Sequence, residues 1–446
     1  MKFFKTIANI FAIEELRTRI LNTLLFIVVF RLGTYVLLPG VDPTKVGGDV
    51  GGLMGFIDGF VGGAFSNRSI FGLGIMPYIS ASIVIQLGTV AIPYFQRLQK
   101  EGESGRKRMT QITRILTIAI CLVQAVGFIS LITNSDEGLL LPGVDKTMFT
   151  IQSLFILTGG TVFCMWLGER ITEKGVGNGI SMLIMIGIIS RLPGSMIQEW
   201  RIQGGMDGAF VYLLEILALF FVVMGVVMLT QATRRIPVNY AKQVINNKVY
   251  GGQRQYIPLK VNSAGVMPII FAQSLMFIPG LIAQYWTDDD GSASTVAAWV
   301  ASNLGNYSAF GYNALFAVLI ILFTFFYTAI TIQPNQIADD LKRNGGFIPG
   351  IKPGLATGEY IDDVLSKITL PGALFIAMVA VLPAFARMAN VGDQFAQFFG
   401  GTSLLIMVGV VLDTLQQIES YLLMRHYEGM MKSGKVKGRS QNVAVA

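Results

Sequence analysis

Of the 446 residues, 52% are hydrophobic and only 14% are charged, with a net charge of +7 and a mean hydropathy of +0.58. A soluble domain carries about 25% charged residues, so a soluble fold of this length could not hide so much apolar surface, and the chain reads as an all-α polytopic membrane protein. The single histidine, His426, lies near the end, and the two cysteines, Cys121 and Cys164, sit in apolar runs without metal-type neighbours; this excludes Ser/His and Cys/His dyads and an HExxH site within the membrane, and the chain reads as no enzyme, with no metal and no cofactor.

In chain order, MKFFKTIANIFAIEELRTRI mixes lysines and apolar residues at helical spacing and reads as an amphipathic helix on the cytoplasmic face, followed by an uncleaved first span near 20 to 38. Arg31 falls inside that span, where it is either functional or a side chain that snorkels or pairs within the bundle. Next comes VGGLMGFIDGFVGGAF, residues 50 to 65, which is apolar but shorter than the roughly twenty residues a spanning helix needs. Its glycines each cost roughly 1 kcal/mol against Ala in a helix, so it is a weak, apolar, non-spanning piece whose role composition leaves open.

Further spans are expected near 71 to 93, 112 to 132, 151 to 168, 179 to 193, 209 to 230, 264 to 285, 311 to 332, 368 to 386 and 400 to 424, ten in all with the first. Pro77 is expected to break the second, the fifth is short, and Pro371 and Pro383 interrupt the ninth. With both termini inside, the external segments hold only Lys45, Arg68, Lys146, Arg191, Arg201 and Arg387 of the 34 basic residues, a strong positive-inside pattern.

Two internal connections are long. RRIPVNYAKQVINNKVYGGQRQYIPLK, from Arg234 to Lys260, is basic without an acid and reads as a protruding hairpin with turn signals at Gly251 and Gly252. The second, from Gln333 to Lys367, contains LKRNGGFIPGIKPG and is nearly balanced in charge. Basic membrane loops often do no more than set topology, but the length and the Tyr, Ile and Phe content of these two suggest docking surfaces for a large partner, an acidic protein or an RNA backbone.

GMMKSGK, 429 to 435, has phosphate-loop spacing, but Val436 stands where Ser or Thr should hold magnesium and no strand precedes it. The glycine cluster GVGNG at 175 to 179 has low specificity by itself. A secondary transporter for a small solute is the alternative reading. Such proteins place ionisable residues at the midplane, and the spans offer only Arg31, Glu215 and Asp413.

Several runs are more specific. GIMPYISASIVIQL (74 to 87), KEGESGRKR (100 to 108), MWLGERITEKGVGNGIS (165 to 181), RRIPVNYAK (234 to 242), PLKVNSAGVMP (258 to 268), GFIPGIKPG (346 to 354) and FGGTSLLI (399 to 406) resemble, in family order, the SecY family, the channel subunit of the bacterial protein translocase. The resemblance implies ten transmembrane helices in two pseudo-symmetric inverted halves of five. Its division of the chain is a cytoplasmic segment 1–19, an N-terminal half 20–193 with a plug at 50–65, a C-terminal half 194–424 with docking loops 231–263 and 333–367, and a cytoplasmic tail 425–446.

The plug would be a short half-helix that closes the outer funnel and moves aside for a passing chain, with Leu53, Phe56, Ile57, Phe60 and Phe65 as its apolar surface. A loop lying on the outer membrane face would suit the same composition. Motif by motif, the family's pore ring maps onto Ile75, Ile79, Ile180, Ile184, Ile270 and Ile406. Isoleucine offers no polar contact to a translocating chain, is stiff at χ1, and resists ions by dewetting.

The resemblance also implies a lateral gate between the second and third helices on one side and the seventh and eighth on the other, through which signal sequences and hydrophobic segments leave for lipid. Ser80, Ser82, Gln86, Gln124, Gln273, Ser274, Thr324 and Thr328 are the polar residues expected to close it, by weak contacts of about 0.6 kcal/mol between helices. The long loops would dock the motor ATPase SecA or the ribosome, through Arg234, Arg235, Lys242, Lys248 and Arg254 in the first and Lys342, Arg343 and Lys352 in the second. Lys352 replaces the family's usual Arg, keeping the charge but losing the planar bidentate fork. The implied setting is the bacterial inner membrane, with SecE and SecG as subunits and unfolded, signal-bearing preproteins as cargo.

Overall fold

A computed structural model describes residues 13–45, 58, 61–133, 139–204, 208–240, 243–245, 248–250, 254–273, 275–276 and 309–432, with backbone only at 90, 243–245, 248–250, 254 and 424–432. Leu53, Phe56, Ile57, Phe60, Lys242 and Ser274, the first twelve residues and the end of the tail lie outside the described residues.

The first helix, α1 (Glu14–Gly33), starts earlier than its hydropathy suggests, because Glu14 and Glu15 sit in its first turn and Arg31 in its last, each suited to the end of the helix dipole it meets. The stretch of chain beyond α1 is pinned by Leu37 to Ser69 and Val41 to Leu140 bridges. Within it, the Thr44 backbone N–H and hydroxyl donate to Asp42 and hold that carboxyl below its ordinary range.

α2 (Met76–Ala91) corrects the expected second span. Residues 71 to 75 are turns, and Pro77 occupies the first turn, where its missing N–H has no helical partner to lose; it starts the helix instead of breaking it. The break comes at Ile92, where the axis turns by 93° into the short amphipathic α3 (Pro93–Lys100). α4 (Glu103–Thr133) and α5 (Lys146–Lys174) follow, the latter capped by Asp145 accepting from Thr147 N at 3.2 Å.

α6 (Gly179–Ile202) is a full 24-residue helix that runs through Pro193, not the short span expected near 179 to 193. Its last two turns are held by the buried Glu199, whose carboxylate accepts from Gly392 N at 2.9 Å and from Gln203 Nε2 at 3.0 Å. α7 (Ala209–Gln231) is the most outward-facing span, with Phe210, Leu213 and Phe220 exposed on a surface suited to lipid.

The first long connection is a hairpin. β1 (Thr233–Tyr240) pairs antiparallel with β4 (Arg254–Lys260), from Thr233 opposite Lys260 to Asn239 opposite Arg254, and β2 (Gln243–Ile245) pairs with β3 (Lys248–Tyr250) beyond them. Ile245 lies opposite Lys248 in that second pair; Gly251 and Gly252, read as turn signals, lie outside the described residues.

Helix resumes over 267–273, and α8 (Phe310–Thr331) and the short α9 (Pro334–Arg343) come later in the chain. β5 (Gly346–Phe347) joins the free edge of β1, with Tyr240 opposite Gly346. α10 (Leu355–Met388) runs 34 residues through Pro371 and Pro383, α11 (Asp393–Ala396) makes one turn, and α12 (Gly401–Lys432) closes the chain. Among the described residues, seven helices are long and apolar enough to cross a membrane, eight if the bent α2–α3 pair is one span; α1, with charges in its first and last turns, is not among them, and of the expected 264–285 span residues 274 and 277–285 lie outside the described residues.

Apolar packing divides the membrane part. Phe30, Phe71, Leu167 and Leu183 centre one cluster among the early helices, and Leu38, Phe128 and Leu157 a second. Ile269, Phe316, Ile376 and Leu404 centre a third among the late ones.

Candidate functional site

One apolar cluster joins early and late helices. Met182, Ile184, Met185 and Ile188 of α6 pack with Phe398, Ile406 and Val410, and Ile79, Ile180 and Ile270 pack against them. Five of the six isoleucines singled out in the sequence thus meet in one place, although they come from four separate stretches of chain. Ile75 lies in the adjoining cluster, which shares Ile79 and Ile180 with this one.

Local backbone puts them there. Asn178 caps α6, its side chain accepting from Ile180 N at 3.1 Å, and Gly179 N donates to Thr172 Oγ1 at 2.9 Å. Gly177 adopts φ +85° and its N–H donates to Gln417 Oε1 at 2.9 Å, tying the turn to α12. The GVGNG cluster is therefore a tight connection. A Cβ on Gly179 would fall onto the Gly168 carbonyl oxygen, so the close approach of α5 and α6 requires glycine there. Ile180 and Ile184 then stand one turn apart on one face.

Against this cluster sits the end of the glycine-rich segment. Val61, Ala64 and Phe65 are buried, and Phe65 meets Phe128 edge to face at 4.7 Å. Val61 shares with Phe30, Ile75, Ile79 and Ile184 a residual hollow of about 10 Å³, at or below the volume one water needs. The contact is dry. Val61 was not singled out from sequence, since a valine among apolar neighbours carries no signal of its own.

A larger cleft of about 530 Å³ opens between α2–α3 and α8–α9, with Gln86, Thr89 and Gln99 on one side and Phe271, Tyr327, Gln336 and Asp340 on the other. Phe271 meets Phe323 and Tyr327 edge to face, each at 5.9 Å, forming its apolar wall. Among the gate residues, Gln86 lines this cleft; its amide donates to Ser82 Oγ at 3.3 Å, and its buried Oε1 has no partner among the described residues. Gln124 and Gln273 are half-buried on their helices.

Three gate hydroxyls depart from expectation. Ser80 donates to Met76 O at 3.1 Å, Thr324 to Ile320 O and Thr328 to Thr324 O, both at 2.7 Å, all within their own helices. A hydroxyl on a helix finds the carbonyl one turn back without ordering a second element, so these bonds form in place of contacts across the gap.

Apart from these clusters, Ile236, Val238 and Leu259 of the hairpin pack with Leu341, Ile348, Ile361 and Leu365 into a separate small core. The two long connections are thereby one platform. Arg234, Arg235, Lys342, Arg343 and Lys352 are exposed on it, and none forms an ion pair with a described residue. Lys248 and Arg254 lie on β3 and β4.

Comparison with known proteins places this architecture. The SecY family model matches residues 69–415. A protein translocase subunit SecY from Streptomyces scabiei is 42% identical over 440 residues, covering 95% of this chain and 99% of that one. Its counterpart from Halalkalibacterium halodurans is 44% identical over 438 residues, covering 96% and 100%. Among solved structures, one described as a protein-conducting channel superposes with a TM-score of 0.61 at 16% identity, covering 91% of this chain and 92% of that one. The Sec61 channel of a canine ribosome–channel complex superposes with a TM-score of 0.57 at 15% identity, with the same coverage. With an isoleucine cluster joining its two sets of helices, a family match over most of its length and near full-length kinship to translocase subunits, the chain belongs to the SecY family.

Proposed function

We propose that this chain is the central polypeptide-conducting channel of a Sec translocase, passing unfolded, signal-bearing proteins across the membrane and releasing hydrophobic segments sideways into lipid. The observation that carries this reading is the apolar cluster of Ile79, Ile180, Ile184, Ile270 and Ile406, drawn from both sets of helices and covered by Val61. In the closed state these side chains form the constriction, with Ile75 beside it. The glycine-rich segment, including Leu53, Phe56, Ile57, Phe60 and Phe65, is the plug above it. The halves of the channel are 20–193 and 194–424.

The mechanism follows from the chemistry of the lining. Side chains without hydrogen-bonding groups bind no cargo sequence, so a chain of any composition slides through, while the dry contact refuses ions when no chain is present. The cleft bounded by Gln86, Phe271 and Tyr327 suits an arriving signal helix, with an apolar wall for its core and Asp340 near the cytoplasmic mouth for its basic end. From there it has a lateral exit between α2–α4 on one side and 264–285 with α8 on the other.

No catalytic group is needed, because the driving energy comes from a partner. The basic platform of Arg234, Arg235, Lys342, Arg343 and Lys352, with Lys242, Lys248 and Arg254 on the hairpin, is the docking face for SecA or the ribosome. SecE and SecG complete the complex in the bacterial inner membrane, with both termini cytoplasmic. Near full-length kinship to translocase subunits leaves the small-solute transporter reading without support.

The test is protease protection of a signal-bearing preprotein in proteoliposomes holding this chain with SecE and SecG, with SecA and ATP added or withheld. Protection that needs the motor and the signal sequence is expected. Protection indifferent to both, or none despite correct assembly, overturns the reading.

A further inference from the structure

Where the plug meets the channel wall, the contact is charged as well as apolar. Asp58 is only 1% exposed. Its Oδ1 accepts from Phe65 N at 2.9 Å and Ser66 N at 3.0 Å, folding the segment back on itself, and its Oδ2 pairs with Arg191 Nη2 on α6 at 2.9 Å. A second arginine, Arg31 of α1, donates from Nη1 to the Gly62 carbonyl at 3.0 Å.

Between these two contacts the segment is pressed onto α6. Gly62 adopts φ +68°, and a Cβ there would come within 2.6 Å of Arg31 Nη1 and 2.8 Å of Gly187 Cα. Gly187 and Arg191 are one turn apart on α6, so one helix face offers both the gap that admits the segment and the charge that holds it. Nothing in the ring or the gate uses these groups.

We propose that the Asp58–Arg191 ion pair, backed by the Arg31–Gly62 hydrogen bond, is a latch that holds the plug closed and that an arriving polypeptide must break. The inference rests on the reading of this segment as the plug. Its design suits repeated opening. Arg191 keeps 29% of its side chain exposed, so water replaces the carboxylate when the pair separates. Arg31 has a second contact with Tyr35, through Nη2 to the phenol oxygen at 3.3 Å and over its ring at 5.5 Å, which keeps that guanidinium in place when Gly62 departs.

The test is a double-mutant cycle on the assembled translocase in planar bilayers, without motor or preprotein, reading ion conductance. Asp58→Asn keeps an oxygen for the Phe65 and Ser66 N–H groups and removes only the charge; Arg191→Gln removes the other partner. Each is expected to raise resting conductance about tenfold, the double variant is expected to match either single one, and Arg191→Lys is expected to stay near the parent. Parent-level conductance for Arg191→Gln, or a double variant near the product of the singles, overturns the latch.

A separate arm isolates the plug reading. In the variant carrying Asp58→Cys and Arg191→Cys, a short bifunctional maleimide should tie the segment to α6, while Cys121 and Cys164 stay buried and unlabelled. Tethering is expected to block preprotein transport. Transport that survives tethering defeats the plug reading itself, whatever the conductance data say of the ion pair.

Discussion

How the constriction keeps ions out is decided by comparing two substitutions at Ile184, which is 6% exposed at the centre of the isoleucine cluster. Ile184→Ala removes about 75 Å³ of side chain, which at about 24 cal/mol per Å³ of cavity costs ~1.8 kcal/mol of packing. The space opened would hold two or three waters at roughly 30 Å³ each, yet hollows of about 150 Å³ lined by Leu, Ile and Phe stay dry. The lining here is Phe30, Val61, Ile75, Ile79 and Leu183. Ile184→Ala should therefore lower the thermal midpoint and leave resting ion conductance within about twofold of the parent.

Ile184→Asn fills more of the space but buries an amide, and leaving it unpaired costs about 1–3 kcal/mol. Water enters to satisfy it, so conductance should rise tenfold or more. Thermal unfolding in detergent and single-channel recording in planar bilayers measure the two effects separately. If the alanine variant leaks as much as the asparagine variant, the closed state is sealed by steric fit and the dewetting argument is wrong.

Gly179→Ala places a methyl on the Gly168 carbonyl and must push α6 from α5, carrying Ile180 and Ile184 with it; a loss of 2 kcal/mol or more and a leaky resting channel are expected, and a thermal midpoint unchanged from the parent would refute the close approach. Thr324→Val and Thr328→Val should leave signal-sequence selectivity unchanged, because both hydroxyls bond within α8. Gln86→Leu should relax it, because that amide faces the cleft, and an export assay with a signal-defective preprotein reads the difference. Arg235→Glu combined with Lys342→Glu should cut motor-driven transport at least tenfold and leave resting conductance unchanged, with a deficit that grows as salt is lowered; a salt-independent deficit would mean that the platform had been unfolded.

The sequence by itself determined the membrane class and most of the spans, because burial in lipid is a property of runs and needs no partner to be read. The family resemblance carried by motifs such as GIMPYIS and GNGIS also marked isoleucines that the fold packs into one cluster, and the turn spacing of Ile180 and Ile184 puts both on one face. Sequence reading misjudged Pro77 and the end of the fifth span, since proline starts a helix or interrupts one according to where the first turn begins, and a helix runs on where tertiary contacts hold its later turns. Pairings between remote segments belong to the tertiary structure alone. Nothing in Gly346 announces that it will lie opposite Tyr240 and weld two long connections into one platform. Nor does Asp58 show that Arg191 is its partner, for an ion pair between residues so far apart in the chain has no periodicity to betray it. The hydroxyls on α8 make the converse point: polar residues on a gate helix look like contacts between helices until the structure shows the nearer carbonyl of their own helix, which is the cheaper partner.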